Sequence, residues 1–508
     1  MDPAPLLSLL APLLLALSGG LIALAAEPFL ARVRKHQVLP WIVAVACIAA
    51  AFAVALAPNG QAYGMLALDA ARRWLMLTTL AVTAVAVGGL QASLDRDRFP
   101  GGESYALAAV AASGVLLMIM SLDALAAFVG METAALAIYA LVGLRRQRPE
   151  SGEALLKYLV MGAVFSAIFL YGVALYYGAT GSTRFGAPAV AGREALFALG
   201  ASCMLIGLAF KLGAVPFHAW APDAYTGAPV AVTGLMGAIV KLGAVALLGS
   251  LWLGLAASDG KPVRLDQAVP PVPGLRSALL EPLALLLTIL AIASIVIGSF
   301  AMLRQSSLRR LVGYSAIANA GFLLLPFILP FRDAAIDLSA LWLYAVAYAL
   351  ATAAALAAAA AIAGPDDAGD NLSQLHGRGR QFPLYGAVLS VCLASLAGLP
   401  PMLGFLGKFA VLGQTVAAGG WIIALVALIA ALAAAAAYLY LLVQLWAGTP
   451  RDEQPLALGG DALNRWGSAA AAVLLVALLA CPGLLPSSAA VAAPTAASSL
   501  SAPPPGGK

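Results

Sequence analysis

Residues 206–223 read IGLAFKLGAVPFHAWAPD, and residues 395–409 read SLAGLPPMLGFLGKF. Each stretch places a lysine and at least one proline inside an apolar run that is long enough to enter a membrane. Proline breaks a helix and leaves backbone groups without their helical hydrogen bonds. Within a membrane, such groups are tolerated only where other protein groups or water supply the missing hydrogen bonds. We therefore predict two broken membrane helices, each with a buried charge beside the break.

The prolines also indicate which backbone carbonyl groups lose their helical partners. The ring of Pro216 clashes with the carbonyl of Leu212, four residues earlier. By the same spacing, the tandem prolines of the second stretch free the carbonyls of Leu396 and Ala397. These three carbonyls are the predicted polar groups of the breaks.

The composition is that of a membrane protein. Of the 508 residues, 62% are hydrophobic and 10% are charged, against about 25% charged residues in soluble domains. This excludes a soluble multidomain enzyme, a disordered chain and a nucleic-acid-binding chain. The net charge of +5 does not indicate DNA, because the basic residues lie mainly in short loops. The lipid bilayer is the expected surrounding.

Apolar runs between polar breaks predict an all-α polytopic membrane protein with about 14 transmembrane helices. The chain begins Met-Asp-Pro without a basic region, so the first run is expected to be retained rather than cleaved. The predicted spans are 5–26, 38–57, 71–91, 104–121, 123–144, 154–178, 195–217, 229–254, 279–302, 308–329, 336–363, 383–413 (interrupted), 419–447 and 467–485.

The broken spans are the seventh and the twelfth, five apart. Broken helices at matching places in two halves are typical of inverted repeats in ion carriers. We therefore predict two five-helix repeats, spans 4–8 and spans 9–13, which the odd number of helices places in opposite orientations. The predicted segments are 1–100 (helices 1–3), 101–255 (repeat 1), 277–447 (repeat 2), 448–485 (a loop and helix 14) and 486–508 (a flexible Ala/Pro/Ser-rich tail).

The distribution of basic residues predicts the orientation. Loops after odd-numbered spans hold 15 Lys and Arg, and the opposite side, termini included, holds nine. Basic loops favour the cytoplasm. Both termini are therefore predicted on the outer, periplasmic side of a bacterial inner membrane.

Candidate metal and haem ligands are scattered. No two cysteines have the spacing of an iron–sulfur or zinc site, and the three histidines do not suggest a haem. Any redox chemistry is therefore expected to belong to partner subunits. These residues are Cys47, Cys203, Cys392, Cys481, His36, His218 and His376.

Five charged residues lie inside apolar runs: Glu132, Lys157, Lys211, Lys241 and Lys408. A charge in mid-membrane costs about 2.5–3.5 kcal/mol on insertion scales, and such residues usually mark ion pathways. The four basic ones are all lysine, which can lose its proton when it is desolvated, whereas arginine stays charged. This pattern favours reversible proton loading over anion binding or voltage sensing.

Structural roles for these residues are the alternatives to proton loading. Lys157 follows Glu153 by four residues and could extend to the interface, while the deeper charges could form purely structural ion pairs. For Lys241, the small residues at 234, 237 and 238 lie on its own helix face, so another span can approach closely. His218 could take part in a relay or make an interfacial hydrogen bond.

Together these residues resemble the antiporter-like subunits of respiratory complex I and of multisubunit cation/proton antiporters. The signature is K-x4-PFH-x-W-x-PD over residues 211–223. Further motifs are similar to the N subunits of bacterial NADH:quinone oxidoreductases: LKY at 156–158, FSAIFLYG at 165–172, AYTGAP at 224–229, YSAIANAG at 314–321, SLAGLP at 395–400 and GKF at 407–409. The likeness extends from about residue 100 to 447, and the first three spans match by hydropathy alone.

The resemblance implies a half-channel in each repeat and proton transfer driven by quinone chemistry elsewhere. By motif, Glu132 is the span-5 glutamate, Lys211 the span-7 lysine, Lys241 the connecting span-8 lysine and Lys408 the span-12 lysine, and Lys157 is a further family lysine. NADH, FMN, Fe–S clusters and quinone are implied for partner subunits, with no cofactor on this chain. Other membrane-arm subunits are the implied partners.

Two positions depart from the family. Many relatives carry histidine where this chain has Asn319, and an amide cannot take up a proton at neutral pH. Residues 133–135, beside the span-5 glutamate, are smaller than in relatives.

Two other functions remain open. One is a cation/proton antiporter subunit without a redox partner, which Lys408 and the motif at 225–229 disfavour. The other is a membrane scaffold with silent channels.

Overall fold

The computed structural model describes residues 4–97, 101–256, 263–268, 275–328, 336–364, 367, 370–448 and 462–480. The predicted tail at 486–508 lies outside them. The helices are α1 (Ala4–Ala26), α2 (Arg32–Leu56), α3 (Ala70–Asp97), α4 (Gly102–Met120), α5 (Ala124–Val142), α6 (Pro149–Thr180), α7 (Glu194–Leu212), α8 (Trp220–Gly227), α9 (Val230–Ala256), α10 (Leu275–Met302), α11 (Leu308–Leu324), α12 (Ser339–Ile362), α13 (Arg378–Gln381), α14 (Pro383–Ala397), α15 (Leu403–Ala417), α16 (Trp421–Trp446) and α17 (Ala462–Ala480). One antiparallel hairpin, β1 (Gly60–Ala62) and β2 (Leu66–Leu68), joins α2 to α3.

All fourteen predicted spans are present. Among the described residues, thirteen helices are long and apolar enough to cross a membrane, and the shorter pair α14 and α15 forms the broken twelfth span. Spans 4–8 correspond to α4–α9, and spans 9–13 to α10–α16. The expectation of an all-α membrane protein with two five-helix repeats is confirmed.

The end predicted for the seventh span is wrong. The predicted end is residue 217, but α7 ends at Leu212, and Gly213 after it adopts φ +74°. Glycine takes this left-handed conformation readily and ends helices for that reason. The chain then turns into the eight-residue α8, which the apolar pattern did not distinguish.

Loops gather at two opposite ends of the bundle, as the alternation of spans requires. At one end, the N–H of Leu122 donates to Met65 O at 2.7 Å and that of Ala124 to Thr183 O at 2.9 Å. These contacts join loops that follow spans 2, 4 and 6. Asp123 also caps α5, because its carboxylate accepts from the N–H groups of Leu125 and Ala126.

At the other end lies an ionic clamp of four residues: Arg145, Arg309, Asp367 and Asp370. Asp367 Oδ2 lies 2.7 Å from Arg145 Nη1 and 3.4 Å from Arg309 Nη1, and it accepts from the N–H of Val230 at 3.3 Å. Asp370 Oδ1 lies 3.1 Å from Arg309 Nε. The four residues are at most 8% exposed. The clamp therefore joins the loop after α5 and the start of α9 to the start of α11 and the loop after α12.

A second buried ion pair lies at the hairpin end. Arg72 pairs with Asp69 and donates to Ser250 Oγ at 2.8 Å and to the carbonyl of Ile119 at 3.1 Å. Arg72 is fully buried. The sequence predicts the arginines of both clusters only as loop charges that set orientation, and the structure shows that they are also held in buried ion pairs.

The centre of the bundle is formed by α9 and α12. All residues of both helices are buried, and the two pack against each other. Small residues permit this: a Cβ added to Gly234 of α9 would lie 2.9 Å from the Cβ of Leu356 in α12. This confirms that another span lies close against the small face of α9.

The close approach of α4 and α5 gives a testable expectation. A Cβ on Gly114 would lie 2.5 Å from Ala134 N and 2.7 Å from Gly130 O. We expect Gly114→Ala to destabilise the protein by about 1–3 kcal/mol, as other overpacked cores do, measured by thermal unfolding in detergent. The matched control is Gly152→Ala in α6, where nothing lies within 4 Å of an added Cβ. Equal melting temperatures of the two variants would contradict the expectation.

Candidate functional site

The predicted pair of Glu132 and Lys211 forms. Lys211 Nζ lies 3.5 Å from Glu132 Oε1 and donates to the Tyr139 hydroxyl at 3.5 Å. The Lys211 side chain is 2% exposed and that of Glu132 is 24% exposed. Ser166 of α6 donates a hydrogen bond to the same carboxylate oxygen. A buried ammonium is thus held between a carboxylate and a phenol.

Tyr139 and Ser166 are functional-site residues that the sequence analysis missed. Tyr139 follows Glu132 by seven residues, or two helical turns, so both lie on one face of α5. This seven-residue spacing is the sequence feature that indicates Tyr139 as a neighbour of Glu132. Gly162 of α6 makes room for the phenol, because a Cβ there would lie 1.8 Å from the Tyr139 hydroxyl.

At the first break, an aromatic side chain donates a hydrogen bond to a backbone carbonyl of α7. Beyond α7, the N–H of Gly213 and that of Ala214 bond back to α7, and the indole N–H of Trp220 donates to the Phe210 carbonyl at 3.3 Å. The ring of Trp220 in turn stacks on Tyr158, 4.2 Å between centroids. The predicted polar gap is at the Leu212 carbonyl, and the sequence does not indicate that an indole donates to the Phe210 carbonyl nearby.

The second break resembles the first in its backbone, but its lysine bonds to backbone carbonyls rather than to a carboxylate. Gly398 ends α14 at φ +80°, as Gly213 ends α7. Lys408 reaches back from α15 and donates to the carbonyls of Leu396 at 2.7 Å and Ala397 at 3.5 Å. These are the two carbonyls predicted to be freed. The partial negative charge of a helix C-terminus thus takes the place of a carboxylate.

Lys241 lies between these two sites in the chain and joins the repeats. Its ammonium donates to the carbonyl oxygen of Ala316 in α11 and lies 5.3 Å from the ring centre of Tyr348 in α12. The residue is 5% exposed. A lysine of repeat 1 therefore has both of these contacts in repeat 2.

The remaining candidates lie elsewhere. The Lys157 side chain is 45% exposed and pairs with Glu153 at 2.6 Å and Asp223 at 2.8 Å, an ion-pair network that also includes Arg310. His218 is half-buried in the turn after the break. None of the hydrogen bonds or ion pairs described for these residues joins Lys157 or His218 to the three buried lysines.

The chemistry of the site follows from the three acceptors. Lys211, Lys241 and Lys408 are each buried, and each ammonium is held by a different kind of oxygen: a carboxylate, a mid-helix carbonyl and a helix C-terminus. A buried lysine exchanges its proton when such a partner moves, because burial penalises the charged form and the partner offsets the penalty. This chemistry suits each of the three lysines to reversible proton loading.

Comparisons with known proteins identify the family of the chain. The family described as "NADH:quinone oxidoreductase/Mrp antiporter, TM" matches residues 121–260 and 276–433. The chain is 35% identical over 332 residues to NADH-quinone oxidoreductase subunit N of Halorhodospira halophila, covering 64% of this chain and 63% of that protein. It thus covers less than two thirds of that relative's length. With subunit N of Polaromonas naphthalenivorans it shares 33% over 439 residues, 82% of this chain and 83% of the relative.

A solved structure shows the same fold at similar identity. It is a chain in respiratory complex I from Thermus thermophilus with bound aureothin, with a TM-score of 0.74, 32% identity and coverage of 92% of this chain and 98% of that one. The family match covers more than half of the 508 residues. The chain belongs to the NADH:quinone oxidoreductase/Mrp antiporter transmembrane family.

Proposed function

We propose that the chain is the proton-translocating, membrane-arm subunit N of an NADH:quinone oxidoreductase. The observation that carries the proposal is the buried ion pair of Lys211, in the last turn of α7, with Glu132, in the middle of α5. The relatives that are named subunit N support the assignment to this complex. As such, the chain acts within a translocase enzyme.

The ion pair sets the affinity of Lys211 for its proton. The carboxylate of Glu132 stabilises the charged form of Lys211, because it offsets part of the cost of burying the ammonium. When Glu132 is in contact, Lys211 holds its proton. When a rearrangement driven by quinone reduction separates the pair, Lys211 releases it.

The other lysines carry the proton onward. Lys241 connects the repeats and Lys408 loads at the second break. We assign Lys157 and His218 to the ends of the path: Lys157 shares its ion-pair network with Asp223, near the break that contains His218. In this assignment 101–255 and 277–447 are the two working repeats.

The oxidation of NADH belongs to partner subunits in this proposal. FMN, Fe–S clusters and quinone would be bound by those partners, and neighbouring antiporter-like and small membrane subunits would contact this chain. The chain would lie in the bacterial inner membrane with both termini on the periplasmic side, as the distribution of 15 and nine basic residues favours.

Purification in mild detergent tests the assignment to a complex. We expect chains that carry flavin and iron–sulfur clusters to co-purify with this chain, detected by optical spectra and mass spectrometry. Partners without any redox centre would contradict the proposal and favour the cation/proton antiporter, which the family also includes.

A further inference from the structure

The first two membrane helices border a groove that the proposed function does not use. This α1–α2 groove has a volume of about 590 Å³. Over their most apolar stretches the first two spans are only 33% and 39% buried, whereas α9 and α12 are fully buried. The groove therefore lies on the outside of the bundle. The residues that line it include Leu15, Gly19, Ile22, Val38, Trp41 and Val45.

Small residues at the contact between the two helices create the groove. α1 and α2 approach so closely that a Cβ on Gly19 would lie 2.2 Å from the Cβ of Ala46. Larger side chains lie beside this contact, and of these Ile22 is 55% exposed and Val45 is 57% exposed. The groove is therefore apolar, and it opens away from the other helices of the chain.

The length of the groove matches one leaflet of a bilayer. It extends along α2 from Val38 to Ala49, which is about 17 Å at 1.5 Å per residue. The hydrocarbon core of a bilayer is about 30 Å thick, so one leaflet accounts for about 15 Å. A lipid acyl chain has this reach. A membrane-spanning helix of a neighbouring subunit would instead need a contact surface that crosses both leaflets.

A basic side chain lies at one end of the groove. Arg34 precedes Gln37 and Val38, which both line the groove, by three and four residues, so the three side chains share one face of α2. Arg34 is exposed, and among the residues that the structure describes, no hydrogen bond or ion pair of its side chain is found. Lys35, by contrast, pairs with Glu27 at 3.6 Å. The positive charge at the end of the groove is thus the guanidinium of Arg34.

The position of this charge relative to the apolar walls fits one class of ligand. Arginine recognises phosphate oxygens through its planar fork of N–H donors. The loop between α1 and α2 lies on the side that the basic residues predict as cytoplasmic, and basic sites between membrane helices on that side bind anionic lipid headgroups. A phospholipid places its phosphate at the polar end of its acyl chains, as the groove requires.

We propose that the α1–α2 groove binds an anionic phospholipid of the surrounding bilayer, with an acyl chain along the groove and the headgroup at Arg34. The site is separate from the buried lysines and does not depend on the proposed function. A zwitterionic lipid offers the same acyl chains without a net negative charge. Selectivity for an anionic headgroup therefore distinguishes this site from ordinary contact with the bilayer.

Photo-crosslinking in nanodiscs tests the site. The purified complex that contains this chain is reconstituted with phosphatidylglycerol that carries a diazirine in one acyl chain, and in parallel with phosphatidylcholine that carries the same chain. After illumination, mass spectrometry identifies the labelled peptides. We expect residues 15–22 and 38–49 to be labelled by phosphatidylglycerol roughly fivefold more than by phosphatidylcholine, the effect of one basic residue beside an anionic headgroup.

A pair of arginine variants tests the headgroup contact. Arg34→Gln keeps a polar side chain and removes the charge, so it is expected to reduce labelling by phosphatidylglycerol to the level of phosphatidylcholine. The matched control is Arg146→Gln, because Arg146 is also exposed and lies in a loop at the same end of the bundle but does not line the groove. We expect Arg146→Gln to be labelled as the unaltered chain is.

Three results would overturn the proposal. Equal labelling by the two lipids would show that the groove does not select an anionic headgroup, and an unchanged preference in Arg34→Gln would show that Arg34 does not bind it. No labelling of either segment would show that a neighbouring subunit covers the groove. If Arg34→Gln does not assemble, as judged by the amount of this chain in the membrane, the comparison of the two lipids on the unaltered complex carries the test. None of these readouts depends on proton pumping, so failure of the lipid site leaves the proposed function standing.

Discussion

Lys211→Ala is expected to lower proton pumping coupled to NADH oxidation by roughly tenfold or more, because losing a group that transfers a proton typically costs 10²–10⁴ in rate. Its ammonium is the buried partner of Glu132, 3.5 Å away. Alanine can neither accept nor release a proton. The measurement is the proton gradient formed by inverted membrane vesicles on addition of NADH, with the complex assembled.

The chain offers a matched control for this variant. Lys35 pairs with Glu27 at a similar 3.6 Å, but its side chain is 26% exposed and it lies outside the repeats. We expect Lys35→Ala to pump normally. Lys211→Arg keeps the charge and cannot release it, so it is expected to assemble well and pump poorly. Normal pumping by Lys211→Arg would show that Lys211 acts only as a fixed charge.

Asp367→Ala is expected to have the largest effect on stability. The change leaves Arg145 and Arg309 buried without the carboxylate that they share. Breaking a buried ion pair by removing one partner costs about 3–5 kcal/mol. We expect little folded chain in the membrane and an early loss of the monodisperse form when detergent extracts are heated.

An exposed carboxylate serves as the control for Asp367. The Glu153 side chain is 64% exposed and pairs with Lys157, and surface ion pairs contribute about 0–1 kcal/mol. Glu153→Ala should therefore leave yield and thermal stability unchanged. If Asp367→Ala behaved like Glu153→Ala, the clamp would not hold the repeats together.

Much of the fold follows from local chemistry. Length and hydropathy predict the spans because a bilayer requires about 20 apolar residues per helix. Proline chemistry predicted the carbonyls of Leu396 and Ala397 as polar groups, and Lys408 bonds to both. Hydropathy did not predict the local end of α7 at Gly213.

What the sequence did not predict depends on contacts between distant segments. Arg145 and Asp367 lie in loops far apart in the chain, and nothing local indicates that these loops meet and bury their charges. The partner of the Asn319 amide oxygen likewise comes from α12. The roles of Tyr139 and Ser166 required the distance between α5, α6 and α7, which hydropathy does not contain.

The complete burial of α9 and α12 has a consequence for biosynthesis. In the folded protein these helices are enclosed by other helices, so their final surroundings would tolerate more polar residues than lipid would. Each still has to leave the insertion machinery as a hydrophobic segment, with a mean hydropathy of 2.0 over its best window. The apolar residues of α9 and α12 are therefore needed for insertion into the membrane during synthesis. In α9 they must also offset the free-energy cost of inserting Lys241.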